Sequence, residues 1–441
     1  MLQAKDTELH PPKRKRPVGA RRFLGILAAL LVLAAGCEGD HNGDSSSRVS
    51  IEIASGDGQT GPAGAPLSEP LTVVVRSKDG QAVRGATVSF EITAGGGALD
   101  RHSAVTDQAG RASVLWTLGL PPVWNRVRAH AQGASVEARA WAEPGPEPPK
   151  ERIAWGPAGT ESEGLAFWEG RGLFLGSPGG LLNLASPDAG LAGLPLTGQS
   201  VLSPVGLAFG PEGDLFVCEN DAAEGGSIKR ISSAGVCSVL TAGFRGVPFS
   251  LPNSLAVDGT GNLFLAATCD GNIYRVSTED GSTELFLSIP GPNGLALNAE
   301  RTHLYFTTED ATIFCGRPAS LGGGLYRVPI EADGSPGEVE PLVEDFALAG
   351  DGLTFDREGN LYVIFTSLKR RGLSGLLTSA LYVLTPDGRF NPYASVNLLA
   401  GEIFTNVAFG VDPFDPYSLY AYGFSGKVYR LPVGIRGLAL P

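Results

Sequence analysis

Five oxygen-bearing side chains, Glu163, Asn253, Asn293, Asp351 and Asn406, stand at matching places in a repeating pattern. The pattern is a polar residue followed by Gly-Leu at the head of a short apolar run. Its clear copies are Glu163-Gly164-Leu165, Asn293-Gly294-Leu295 and Asp351-Gly352-Leu353; the looser ones are Val205-Gly206-Leu207, Asn253-Ser254-Leu255 and Asn406-Val407-Ala408. Carboxylate and amide oxygens without His or Cys make a hard donor set, which suits Ca²⁺ first, with Mg²⁺, Mn²⁺ and Zn²⁺ left open. Glu163 and Asp351 would balance such an ion, and without one their repulsion in a confined space would be costly. The expected metal ligands are therefore Glu163, Asn253, Asn293 and Asp351. A cation there would polarise a carbonyl and acidify a bound water, and Asp351 is placed to take that water's proton as the catalytic base. Asn253 and Asn406 are the expected substrate-binding groups. An isolated Asn-Gly or Asp-Gly is an ordinary turn dipeptide. Recurrence at equivalent positions, and the presence of Glu163, which is not a favoured turn former, point instead to a shared site.

The elements that must position these residues follow from the spacing. The copies recur roughly every 40 to 60 residues, the length of one propeller blade. Each head leads through a tight turn into a second apolar strand, as in Leu207-Ala208-Phe209, Gly210-Pro211-Glu212-Gly213 and Leu215-Phe216-Val217. A third strand follows, as in Ile273-Tyr274-Arg275-Val276. Hairpins of this kind cannot bury both faces alone, so they stack around an axis. Residues 151–441 are expected to form a six-bladed β-propeller, with Arg152-Ile153-Ala154-Trp155 supplying the outer strand of the last blade. The heads of the inner strands would then converge at one mouth of the central channel.

Upstream the period changes. Val49, Ile51 and Ile53 alternate, as do Leu71, Val73 and Val75, then Val88, Phe90 and Ile92, then Ala112, Val114 and Trp116. Period-2 alternation with Gly-rich turns every dozen residues or so reads as a β-sandwich over residues 48–142. Glu143-Pro144-Gly145-Pro146-Glu147-Pro148-Pro149 is a stiff linker over 143–150. The fold class is thus all-β: an immunoglobulin-like sandwich followed by a six-bladed β-propeller. The 61 Gly, 32 Pro and 18% charged residues agree with short strands and tight turns. A net charge of −12 argues against a nucleic-acid partner.

The first 37 residues read as an export signal, with a basic run from Lys13 to Arg22 and an apolar stretch, Phe23 to Ala35, too short to span a bilayer comfortably. Leu33-Ala34-Ala35-Gly36-Cys37 resembles a bacterial lipobox, which implies lipidation at Cys37 and a lipid anchor in the membrane. The expectation is an exported bacterial lipoprotein at the outer membrane, on its periplasmic or surface face. Residues 38–47 read as a flexible tether. Cys218, Cys237, Cys269 and Cys315 permit two disulfides. Cys269 and Cys315 both follow second strands of neighbouring repeats and are the first pair to test, with free cysteines in strand cores the alternative.

Two resemblances add to this. Gly56-Asp57-Gly58-Gln59-Thr60-Gly61, Gly95-Gly96-Gly97, Thr106-Asp107-Gln108-Ala109-Gly110 and Trp116-Thr117-Leu118-Gly119 resemble the group 1 bacterial immunoglobulin-like domain of invasin and intimin. A single copy implies a spacer rather than an adhesin. Glu163-Gly164-Leu165, Pro252-Asn253, Pro292-Asn293-Gly294-Leu295, Asp351-Gly352-Leu353 and Thr405-Asn406-Val407-Ala408-Phe409-Gly410 resemble the gluconolactonase/regucalcin (senescence marker protein) family. That resemblance implies a divalent ion held by Glu163, Asn293 and Asp351, with Asn253 serving ion or substrate, and a lactone or ester as substrate. The chain departs from the family pattern at Ser254, Leu251 and Leu165, where Asp, Arg and Pro are common. These departures leave the ion site intact and bear on sugar-lactone recognition. A calcium-dependent lactonase is the first expectation; a non-catalytic ligand- or glycan-binding propeller on an immunoglobulin-like spacer is the second.

Overall fold

The computed structural model describes residues 49–158, 163–221, 223–316, 322–369, 376–397 and 402–439. The expected signal peptide, Cys37 and the tether lie outside the described residues. Among the described residues the chain is all-β, with one short helix at Ala311–Phe314.

The alternating apolar positions of the first region become the inner faces of two packed sheets. One sheet contains Val49–Ser55, Leu71–Ser77 and Arg111–Val114; the other orders Gln59–Pro62, Ala134–Glu143, Trp124–Ala131, Thr87–Ala94 and Ser103–Val105. Val73, Val75, Val88, Phe90, Trp116 and Val127 fill the space between them. Each such side chain contributes about 1.5–3 kcal/mol by leaving water. Gln59–Pro62 pairs parallel with the far end of Ala134–Glu143, so the second and last strands of this region are tied side by side.

Six further sheets follow. Each is built from consecutive strands; one runs Pro252–Val257, Asn262–Ala267, Asn272–Ser277, Thr283–Ser288, every pair antiparallel. The last sheet takes its outer strand from the start of the region: Glu151–Trp155 pairs antiparallel with Lys427–Pro432. The first strands of the six sheets are Leu165–Trp168, Pro204–Phe209, Pro252–Val257, Pro292–Leu297, Ala349–Phe355 and Phe404–Phe409, and they touch one another in a closed ring. Apolar side chains fill the gaps between neighbouring sheets, as where Phe264, Ala266 and Ile273 meet Leu304, Phe306 and Tyr326.

The ring explains the glycine of the repeated motif. A Cβ on Gly164, Gly206 or Gly294 would lie 2.5, 2.2 or 2.4 Å from the carbonyl oxygen of Val205, Asn253 or Asp351 in the next inner strand. A Cβ on Gly352 would lie 2.3 Å from Asn406 Oδ1. Glycine is there because neighbouring backbones approach too closely for any side chain, not because a turn needs it. At Ser254 the ring admits a small side chain, whose Oγ accepts the Leu295 N–H at 3.1 Å.

The Pro-rich linker does not hold the two regions apart. Residues 46–441 form one compact unit. Ala94 and Val123 of the sandwich share a core with Tyr393, Val433 and Ile435. Trp124 Nε1 donates to Asp387 Oδ2 at 3.2 Å, Arg126 pairs with Glu358 at 3.0 Å, and the Arg389 guanidinium lies 4.1 Å above the Trp141 ring.

Candidate functional site

Four of the six inner strands carry a carboxylate or amide near or just before their N-terminal end, Glu163, Asn253, Asn293 and Asp351, so the ring gathers these residues on one side. Glu163 is half-buried in the turn before Leu165–Trp168, Asn253 and Asn293 are buried as the second residues of their strands, and Asp351 is half-buried in Ala349–Phe355. Burial raises the Asp351 carboxyl well above its ordinary value, and the charges of Glu163 and Glu309 push it further; the Gly352 N–H, donating to Oδ1 at 3.1 Å, pulls the other way. Glu163, Glu309 and Asp351 therefore feel one another.

Glu309 was not singled out from the sequence. It lies just past the second strand of its sheet, His303–Thr308, whose end pairs with the head of Pro292–Leu297 through Pro292 and Thr308. Its side chain is 5% exposed. Oε2 accepts from Asn293 Nδ2 at 3.0 Å, and Oε1 is buried with no hydrogen-bond partner among the described residues. Burial pushes its carboxyl from 4.5 up to about 7, against the lowering effect of the Asn293 hydrogen bond. The backbone there stitches two site-bearing strands together: the Glu309 N–H donates to Gly291 O, the Asp310 N–H to Leu348 O, and Thr307 Oγ1 bridges the Gly294 N–H and Asp351 O.

Another buried carboxylate, on the second strand of an earlier sheet at the place Thr308 holds in its own, gives the contrast to Glu309. Glu219 pairs with Pro204 in register and is 1% exposed. It is neutralised by Lys229 and accepts the Leu202 N–H at 2.7 Å. Glu309 and Asp351 have no ion-pair partner among the described residues. Two carboxylates out of water without a cation are costly. The sequence signal for Glu309 was a polar second-strand end, Thr307-Thr308-Glu309-Asp310, opposite a strand head in the antiparallel register.

A disulfide joins Cys269 to Cys315, with Cα atoms 5.3 Å apart; Cys218 and Cys237 are buried free thiols. Cys269 follows the strand paired with the Asn253 strand, and Cys315 caps the helix that begins two residues after Glu309. The bond therefore clamps the outer ends of two neighbouring sheets that carry site residues.

Asn253 is 9% exposed, and its side chain makes no hydrogen bond to another described residue. Asn406 is placed differently. Its Oδ1 accepts the Val407 N–H at 2.8 Å, and it lines a cavity of about 430 Å³ that occupies the other half of the ring. Glu163, Asn253, Asn293, Glu309 and Asp351 are not in that lining. The structure thus brings Glu163, Asn293, Glu309 and Asp351 together and leaves Asn406 facing the opposite cavity. Among the described residues no three His, Cys, Asp or Glu side chains are grouped to hold a metal ion. The donor set here depends on amide oxygens beside its carboxylates, and the orphaned Glu309 Oε1 together with the raised Asp351 carboxyl fits a hard cation.

No family model matches the chain. It is similar to the gluconolactonase of Zymomonas mobilis subsp. mobilis, 23% identical over 273 residues, which cover 54% of this chain and 69% of that protein. Among solved structures it is similar to a gluconolactonase from Xanthomonas campestris, 18% identical, covering 65% of this chain and 98% of that one with a TM-score of 0.48. It is also similar to the calcium-binding protein regucalcin from Agrobacterium tumefaciens, 18% identical, covering 67% and 97% with a TM-score of 0.48. A virginiamycin B lyase from Staphylococcus aureus is 14% identical, covering 65% and 99% with a TM-score of 0.43.

Proposed function

We propose that this chain is a divalent-metal-dependent lactonase built on a six-bladed β-propeller, with the N-terminal sandwich an immunoglobulin-like module docked on it. The observation that carries the reading is the crowding of Glu309 and Asp351 beside Glu163 and Asn293 with no ion-pair partner for either of the two among the described residues, whereas the buried Glu219 has Lys229. Similarity to the Zymomonas gluconolactonase supports the reaction class.

Glu163, Asn253, Asn293 and Asp351 would hold the ion, with Ca²⁺ the best match to their oxygen donors. When bound, it supplies polarisation of a carbonyl and acidification of water. Glu309 accepts the Asn293 amide N–H, which fixes the amide and leaves its Oδ1 free to face the ion. Asp351 would take a proton from the attacking water at its carboxylate. The buried surroundings of Asn293 and Glu309 limit bulk water. The Asn253 side chain, which makes no hydrogen bond to another described residue, is available to a substrate hydroxyl or ring oxygen.

The test is hydrolysis across aldonolactones, aliphatic lactones and aryl esters by the full chain, with Ca²⁺ and with chelator. Turnover that chelation abolishes is the expected result; none with any substrate in Ca²⁺, Mg²⁺ or Mn²⁺ refutes the reading. We further propose that Cys37 carries a lipid anchor at the outer membrane. Cys37→Ser should then release the chain from the membrane fraction, and retention there would contradict the anchor.

A further inference from the structure

The half of the ring away from the carboxylates has a different chemistry. Its cavity of about 430 Å³ falls within the range of small-molecule sites, roughly 300–1,000 Å³. A layer of small residues, Ala166, Ala208, Ala256, Ala296, Thr354 and Ala408, one from each inner strand, lines it and keeps it open. Toward the mouth the lining turns to larger apolar side chains, among them Phe209, Leu297 and Phe355. An inner strand such as Leu165–Trp168 gives a wall of about 13 Å at roughly 3.3 Å per residue.

Three arginines stand at this mouth, Arg301, Arg357 and Arg436, and none has an ion-pair partner among the described residues. Arg301 is held toward the ring by a backbone with φ +56° and a long contact, 3.5 Å, from its guanidinium to Val257 O. Arg357 and Arg436 are fixed side by side, because the Arg357 N–H donates to Arg436 O at 2.9 Å. The C-terminal segment that brings Arg436 is itself anchored, with the Leu438 N–H on Phe355 O at 3.0 Å. Two carboxylates, Glu169 and Asp412, share the rim, so the described residues of the mouth carry a single positive charge in excess within a chain of net charge −12.

We propose that this second cavity binds an amphipathic monocarboxylate, its apolar chain in the small-residue layer and its carboxylate on Arg301, Arg357 and Arg436. An apolar tunnel favours an aliphatic chain, planar guanidinium groups favour a carboxylate, and the small net charge favours a monoanion over a phosphate dianion. The site is separate from the carboxylate cluster and does not depend on the lactonase reading.

The experiment is calorimetric titration of the full chain with octanoate and with 1-octanol, in EDTA. Octanoate is expected to bind at one site per chain, and 1-octanol at least about tenfold more weakly, since a charge-assisted hydrogen bond is lost. The combined Arg301→Ala, Arg357→Ala and Arg436→Ala variant should weaken octanoate about tenfold or more without changing the melting transition, because none of the three is buried. Ala256→Leu, narrowing the small-residue layer, should abolish binding. Equal affinity for the alcohol, binding unaffected by the arginine variant, binding that requires added Ca²⁺, or no binding at all overturns the proposal.

Discussion

Replacing Glu309 by glutamine removes a buried charge while keeping an acceptor for Asn293 Nδ2. The folded protein holds the Glu309 proton more tightly than the unfolded chain, with the carboxyl raised from 4.5 to about 7. Below pH 4 both states are protonated and the group is neutral to stability. As pH rises past 4.5 the unfolded chain ionises first and is favoured by about 1.4 kcal/mol per pH unit, until the folded carboxyl ionises near 7. At pH 8 without a cation the accumulated cost is about 3 kcal/mol. Urea denaturation of wild type and Glu309→Gln in EDTA, followed by tryptophan fluorescence, reads this directly. The variant should be more stable than wild type by about 3 kcal/mol at pH 8, with the gap closing toward pH 4. Adding Ca²⁺ should stabilise wild type at pH 8 and stabilise the variant less, because Asn293 loses a charged partner. Stability curves that stay parallel from pH 4 to 8 would refute the account of Glu309 as an uncompensated buried acid.

Other consequences can be checked on the same protein. Asp351→Ala should abolish lactone turnover while circular dichroism stays that of wild type. Gly206→Ala should cost about 2 kcal/mol or more in urea, because its Cβ would sit 2.2 Å from Asn253 O and force the inner strands apart. Replacing Cys269 and Cys315 by serine should cost about 4 kcal/mol by the loop-entropy relation for a separation of 46 residues. A loss much smaller than this would mean that sheet packing alone holds the outer ends of those two sheets.

Much of the architecture is visible in the strand heads. The recurring Gly-Leu steps mark four of the six inner strands because a ring of close backbones repeats one steric demand at Gly164, Gly206, Gly294 and Gly352. The alternation at Val73, Val75, Val88 and Phe90 marks the sandwich core because a pleated strand buries every second side chain. The strand at Glu151–Trp155 is legible for a related reason: the last repeat ends one strand short. Glu309 was hidden because it sits past the end of a second strand, where only the antiparallel register brings it to Asn293. Asn406 faces the other cavity because it stands one place further along its strand than the polar heads, at the position Gly206 and Gly352 hold in theirs, and one step along a strand reverses the side a residue faces. The docking of the sandwich was hidden as well. It runs through Val123, Trp124 and Arg389, residues that carry no pattern, while the Pro-rich linker suggests separation.

The central claim is that oxygens from separate sheets share one divalent cation. Metal analysis of the full chain after dialysis against micromolar Ca²⁺ tests it most directly, with Glu163→Ala and Asp351→Asn alongside. One ion per wild-type chain, lost in both variants, is the expected result. A wild-type chain without metal, or variants that keep it, would contradict the claim.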